Sequence, residues 1–249
     1  MEQLLDFIRT TGLANLGWRD VVMIFVGIIF IYLAIKKDWE PYELLPIGLG
    51  IIAANLPLTG LITPPTSDSL NQEAGIFGIF FHYGLSFWNI LPPIIFLGIG
   101  SLTDFGPVIA NPKTLLLGAA AQIGIFVAFW GALMAGSLGI LGMDFGIEEA
   151  ASIGIIGGAD GPTTIFLSAR LAPEILGITA VIAYSYMAAV AFIQPPLMKM
   201  FTTEKERQIV MRPLREVSKL EKLIFPNVAL IAIILMVPKS APLIAMFMI

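Results

Sequence analysis

The sequence predicts an all-α polytopic membrane protein, with about six transmembrane helices and one broken or re-entrant segment at residues 150–170. Three observations carry that prediction. Of 249 residues, 57% are hydrophobic and only 13% charged, with a mean hydropathy of +0.88, too apolar for a water-soluble domain. The charged residues fall in clusters that leave long charge-free intervals. One interval is followed by "GIIGGADGPTTIF", residues 154–166, an aspartate among four glycines and a proline.

Residues 21–35, 44–67, 74–103, 114–143, 175–198 and 223–238 contain no Asp, Glu, Lys or Arg. A crossing helix needs roughly 20 apolar residues, and most intervals supply them. The first is short, but Trp18 at one end and Tyr32, Lys36 and Lys37 at the other can anchor at the two interfaces. No small-residue cleavage site follows it, so it reads as a retained helix and not a signal peptide. Residues 1–19 read as an interfacial segment, with Leu4, Leu5, Phe7, Ile8 and Leu13 set among polar neighbours. The whole of 1–249 is expected to form one membrane domain.

Lys and Arg in short loops give the orientation. Residues 196–222 hold seven basic residues, Lys199, Lys205, Arg207, Arg212, Arg215, Lys219 and Lys222, against four glutamates, and read as a basic cytoplasmic loop. Either it docks soluble partner subunits or it follows the positive-inside bias near anionic lipid. Lys36, Lys37 and Lys113 mark two more loops on that side. The loops carrying Asp68 with Glu73, and Asp144 with Glu148 and Glu149, contain no basic residue and read as external. Every span threads consistently if residues 150–170 enter and leave from the same side.

Composition supports a break there. Glycine costs about 1 kcal/mol and proline about 3 relative to alanine in a helix, and Gly154, Gly157, Gly158, Gly161 and Pro162 lie within nine residues. Unwound backbone at membrane depth is tolerated where it is buried in protein or lines a wet cavity, and transporters bind ions at such breaks. A carboxylate near the bilayer centre costs at least about 2.5 kcal/mol, so Asp160 needs a partner. Residues 114–169 contain no Lys or Arg, which points to a mobile cation or proton. The Thr163, Thr164 and Ser168 hydroxyls and the carbonyls from Gly157 to Gly161 are neutral oxygens of the kind a hard cation takes, sodium above magnesium. The plainer reading is that Asp-Gly-Pro is a turn whose aspartate caps the half-helix that follows.

Other polar groups have structural readings. Asp104 is a loop or capping residue in "SLTDFGPVIANPK", or else the mark of a weak internal repeat or of a cytoplasmic gate. His82, the one histidine, is a packing residue or a proton relay. Asn55 and Asn89, next to prolines, can satisfy carbonyls that proline leaves free. Thr179 and Tyr186 stand seven residues apart, on one face of a helix, with Gln194 nearby on it. The absence of cysteine excludes disulfide and thiolate chemistry, and nothing suggests a nucleic-acid partner.

"ASIGIIGGADGPTTIF", preceded by "LTDFGPVIANPKTLLLGAAAQIGIF" and followed by "AYSYMAAVAFIQPPLMKMFTTEKER", resembles the β subunit of the sodium-pumping biotin-dependent decarboxylases, which act on oxaloacetate, glutaconyl-CoA, methylmalonyl-CoA or malonate. The resemblance implies a multi-pass subunit of a bacterial or archaeal inner membrane that decarboxylates carboxybiotin, consumes a proton and exports sodium. It implies carboxyltransferase (α) and biotin-carrier partners and a small membrane γ/δ subunit, and it leaves a homo-oligomer open. It implies Asp160 as the catalytic and ion-binding acid and Tyr186, in "AYSYM", as a further ion ligand; with the Thr163 hydroxyl and the Gly158 carbonyl from the oxygen reading above, these make up the expected sodium site. The rival without biotin chemistry is a sodium-coupled secondary transporter or sodium/proton antiporter. The family fold is an inverted repeat whose members are longer, so this chain is expected to hold one half of it, with the C-terminal half absent, either as a fragment or as a truncated chain completed by another.

Overall fold

The computed structural model describes residue 7 and residues 9–65, 74–142, 144–210 and 213–249. Leu4, Leu5, Ile8, Asp68, Glu73 and Arg212, which figured in the surface-segment and loop assignments, lie outside these described residues. Among the described residues all regular structure is helical. Three helices are long and apolar enough to cross a membrane: Trp18–Lys37, Pro112–Ser137 and Pro173–Val190. A fourth span is added if the bent pair Ile76–Phe87 and Leu91–Leu102 is counted as one. The expected spans 44–67 and 223–238 are helical over Pro41–Ala54 and Lys219–Met236.

The chain divides into two compact units, Met1–Phe87 with Tyr184–Met198 and Trp88–Ala183 with Lys199–Ile249. In the first, α1 (Trp18–Lys37) starts where the Gly17 N–H donates to the Asp20 carboxylate, 2.8 Å away, and ends on Lys36 and Lys37. Acid at the N-terminus and base at the C-terminus complement the helix dipole. A link with Asp38 and Glu40 in left-handed conformation (φ 52° and 33°) turns the chain into α2 (Pro41–Ala54). The pairings Gly27 with Gly48 and Ala34 with Leu44 run in opposite senses, so the two helices form an antiparallel hairpin. Its tight crossing is made by glycines: a Cβ on Gly27 would stand 2.7 Å from the Gly48 carbonyl oxygen, and one on Gly48 2.7 Å from the Gly27 carbonyl oxygen. Without a hydrophobic drive between helices in lipid, such backbone approach is a principal source of helix affinity. Ala34, Leu44 and Ala188 form the buried cluster of this unit, and the Trp39 and Phe192 rings meet at 4.9 Å between centroids. The chain then runs as α3 (Ile76–Ile79) into a π-helical stretch, Phe80–Phe87, that carries His82 and Tyr83 edge to face.

In the second unit, α4 (Leu91–Leu102) leads to a short α5 (Gly106–Ala110) and a long α6 (Leu115–Ser137). Next come α7 (Ile147–Gly154), a 3₁₀ turn (Ile155–Gly158) and α8 (Gly161–Leu171). The long α9 (Leu176–Phe201) contributes to both units. Then follow α10 (Glu204–Arg207), α11 (Lys219–Met236) and α12 (Ala241–Met248). Phe96 of α4, Phe166 of α8 and Leu243 of α12 make the apolar core of this unit. Gly154 lets α7 lie close on α6, since a Cβ there would stand 3.0 Å from the Phe129 Cβ.

The basic loop folds back on the loop at 103–111. Lys222 Nζ donates to Asp104 Oδ1 at 2.9 Å, and the Gly106 N–H donates to the same oxygen at 3.0 Å. Asp104 is thus a capping and ion-paired residue, its carboxyl held below the ordinary range first by the Lys222 hydrogen bond and then by Gly106. Arg215 is bidentate to Glu221, at 2.8 and 3.2 Å, and donates to the Ile109 carbonyl oxygen at 3.2 Å. A cleft of about 370 Å³ lies among Asp104, Pro107, Arg215, Glu216 and Lys222. The Arg215 hydrogen bond, followed by the Ser218 N–H, brings the Glu221 carboxyl down to about 2.

A depressed carboxyl stabilises the folded loop fully above the unfolded value of about 4.3 and loses that contribution as pH falls toward the folded one. Glu221→Gln removes it at neutral pH. Trypsin is then expected to cut after Arg215 several-fold faster, while an unchanged cleavage rate would reject the clamp.

Candidate functional site: an aspartate at a helix break

The helix that begins at Ile147 breaks within the glycine-rich stretch. Its first turn is fixed by the Gly146 N–H donating to Glu149 at 2.8 Å, with Glu148 beside it, so these acids serve the helix start as well as the loop. After Gly154 the coil tightens to 3₁₀ geometry and stops at Ala159, whose φ of 52° is left-handed. An L-residue there costs roughly 1 kcal/mol. Gly158 and Ala159 are exposed and Asp160 is partly exposed.

Asp160 (φ −131°, ψ 97°) is the N-cap of α8, with Gly161 and Pro162 opening that helix. One carboxylate oxygen accepts from the Thr163 N–H at 3.4 Å, and the other from the Thr163 hydroxyl at 2.5 Å. The plainer sequence reading, a capping aspartate, is therefore correct as geometry, and it leaves the second role open. Because Thr163 donates its proton to the carboxylate, its oxygen keeps lone pairs for a cation. Charge is not neutralised: among the described residues no Lys or Arg lies within ion-pair distance of Asp160. Arg170, the nearest base in sequence, sits over the Phe166 ring, 4.0 Å from its centroid.

Of the three hydroxyls that sequence reasoning grouped with Asp160, only Thr163 contacts its carboxylate. Thr164 is fully buried and donates to the Asp160 main-chain oxygen at 2.9 Å, closing the first turn. Ser168 is fully buried two turns along the same face, where it accepts from Thr179 at 3.0 Å. Thr179 faces the interior as its stripe predicts, whereas Tyr186, in the other unit, is 37% exposed and Gln194 is exposed. Two residues carry signals that periodicity did not reveal. Asn89 donates its Nδ2 to the Phe166 carbonyl oxygen at 3.1 Å, rather than to a carbonyl freed by proline, and its Oδ1 has no donor among the described residues. Ser152 is fully buried with its hydroxyl unpartnered among the described residues.

Residues 19–249 match the family model of the Na+-transporting oxaloacetate decarboxylase beta subunit. The chain belongs to this family. It is 48% identical to the methylmalonyl-CoA decarboxylase subunit beta of Propionigenium modestum, over all of this chain and 64% of that protein. It is 50% identical to the glutaconyl-CoA decarboxylase subunit beta of Acidaminococcus fermentans, over 98% of this chain and 60% of that one. To the probable oxaloacetate decarboxylase beta chain of Vibrio cholerae the identity is 45%, over 99% and 67% respectively. The chain thus spans about three fifths of the length of the first two relatives.

Proposed function

We propose that the chain is the membrane subunit of a decarboxylase sodium pump, coupling the decarboxylation of carboxybiotin to sodium export with consumption of a proton. The observation that carries this reading is Asp160: an acid with no basic partner among the described residues, at the elbow of a broken helix, in a chain of a sodium-transporting family. In this reading Asp160 is the ion-binding and catalytic acid. Its carboxylate and the Thr163 hydroxyl oxygen hold the sodium ion, and the Gly158 main chain completes that side of the site. Tyr186 enters as a further ion ligand on the family resemblance alone.

Asp160 alternates between a sodium-bound and a protonated form, and that alternation provides the lock. Moving one charge against 100 mV takes about 2.3 kcal/mol, so decarboxylation has to wait until the ion is loaded. The arrangement that goes with this reading is a single membrane domain with six crossings in a bacterial or archaeal inner membrane, the segment 150–170 re-entrant, and one half of an inverted repeat. Carboxyltransferase (α) and biotin-carrier subunits and a small γ/δ membrane subunit complete the complex. The choice of acid substrate is made in the carboxyltransferase subunit, and the relatives named above include both acyl-CoA and oxaloacetate decarboxylase subunits.

The test is isolation of the full-length chain with its complex on avidin, followed by reconstitution into vesicles. A biotinylated partner should co-purify, and adding the acid that the complex decarboxylates, identified by assaying oxaloacetate and the acyl-CoA acids in turn, should drive sodium uptake into inverted vesicles. Sodium flux in the absence of any biotin protein would overturn the reading in favour of an ordinary transporter.

A further inference from the structure

The residue that couples least comfortably to its surroundings is Asn89. It lies between Phe87 and Leu91, where helical structure is interrupted, at the midpoint of the charge-free interval 74–103. It is only 7% exposed and holds a left-handed φ of 49°, a conformation that asparagine tolerates better than most residues other than glycine. Its Nδ2 is fastened to the Phe166 carbonyl oxygen, at 3.1 Å, in the middle of the half-helix that begins at Asp160. That hydrogen bond fixes which end of the amide is which, and it turns Oδ1 away from the carbonyl.

Oδ1 is buried with no donor among the described residues. A buried amide oxygen in that condition is rare and calls for an explanation. As an acceptor with free lone pairs, it can be satisfied only by a donor or by a cation. It is not used to cap α4, whose start has no side-chain cap and whose second and third residues, Pro92 and Pro93, have no N–H to offer. A neutral oxygen at a helix interruption, anchored to the half-helix of an unpaired acid, is chemically a ligand for a hard monovalent cation.

We propose that Asn89 Oδ1 is a neutral oxygen ligand for the transported sodium ion on its way to or from Asp160. The inference rests on the sodium reading of Asp160. Its test compares Asn89→Gly, which accepts the positive φ without strain and removes the oxygen, with Asn89→Asp, which keeps an oxygen and removes the donor to Phe166. Decarboxylation by the reconstituted full-length complex is titrated with sodium and with lithium, and Asp160→Asn is measured alongside.

Asn89→Gly should raise the sodium concentration for half-maximal activity about tenfold with little change in the maximal rate. Asn89→Asp should stay near the wild-type sodium requirement while its preference between lithium and sodium shifts. An unchanged sodium requirement in Asn89→Gly, a loss confined to the maximal rate, or an equal defect in both variants would overturn the proposal. If Asn89→Gly fails to assemble, Asn89→Asp decides alone, and an unaltered lithium to sodium ratio counts against it. Sodium dependence persisting in Asp160→Asn would instead sink the reading on which the proposal stands, so the two failures are distinguishable.

Discussion

Asp160→Asn is expected to abolish sodium-dependent decarboxylation in vesicles containing the full complex, with a loss of about 100-fold or more, equivalent to at least about 2.7 kcal/mol of lost stabilisation in the coupled step. The substitution is close to isosteric. The carboxylate accepts from the Thr163 N–H through one oxygen and from the Thr163 hydroxyl through the other, at 3.4 and 2.5 Å; asparagine keeps one oxygen to accept from the N–H and can donate its amide N–H to the hydroxyl oxygen, so the cap on α8 survives and the fold with it. What disappears is the charge and the ability to carry a proton. Because no Lys or Arg stands within ion-pair distance of Asp160 among the described residues, the removal leaves no stranded cation to confuse the result. Asp160→Glu keeps the charge but moves it about 1.5 Å past Thr163, and should fall between asparagine and wild type. Sodium uptake at the wild-type rate in Asp160→Asn would take the carboxylate out of the mechanism.

Gly48→Val should be the most destabilising single change in the hairpin of α1 and α2. A Cβ at position 48 would stand 2.7 Å from the Gly27 carbonyl oxygen, 2.8 Å from Ile31 Cγ1 and 3.2 Å from the Ile31 nitrogen. Two of those three are main chain, so no rotamer change relieves the contact and the helices have to separate. Overpacking of this kind costs about 1–3 kcal/mol, and separation also gives up the Ala34 and Leu44 packing. The expected outcome is a lowered melting temperature in detergent and poor recovery. Gly50→Ala is the control on the same helix, since a Cβ there meets nothing within 4 Å. Equal melting of both variants would reject the glycine crossing.

The parts of the fold that could be read from the sequence are those written in local composition. The charge-free interval from Val21 to Ile35 marks α1, and the one from Thr114 marks α6. The glycines from 154 to 161 with Pro162 mark the break before Asp160. Local composition misled at 44–67, where absence of charge suggested a full crossing although the helix stops at Ala54, ahead of Pro57 and Gly60. Charge absence measures affinity for lipid, while helix length also depends on turn-forming residues that carry no charge.

The candidate site divides in the same way. Asp160 and Thr163 are three residues apart, so their contact follows from capping geometry. The bond from Thr179 to Ser168 joins two helices, and the bond from Asn89 to Phe166 spans 77 residues. Pairings at that range depend on how the helices assemble, which hydrophobic periodicity does not encode. Thr164, four residues after the acid, donates its hydroxyl proton to the main-chain oxygen of Asp160 and not to the carboxylate, a difference that spacing alone does not encode.

On the proposed sodium reading, Ala159, held at a φ of 52°, bears on the shape of the elbow before an ion arrives. Glycine would relax the bend, yet it would also let the peptide wander through many shapes between visits of the ion, each of which would have to be abandoned on capture. A methyl group forbids most of those excursions. In that reading the elbow keeps nearly one outline before and after capture, and the entropic toll of binding is met when the protein folds instead of at every turnover.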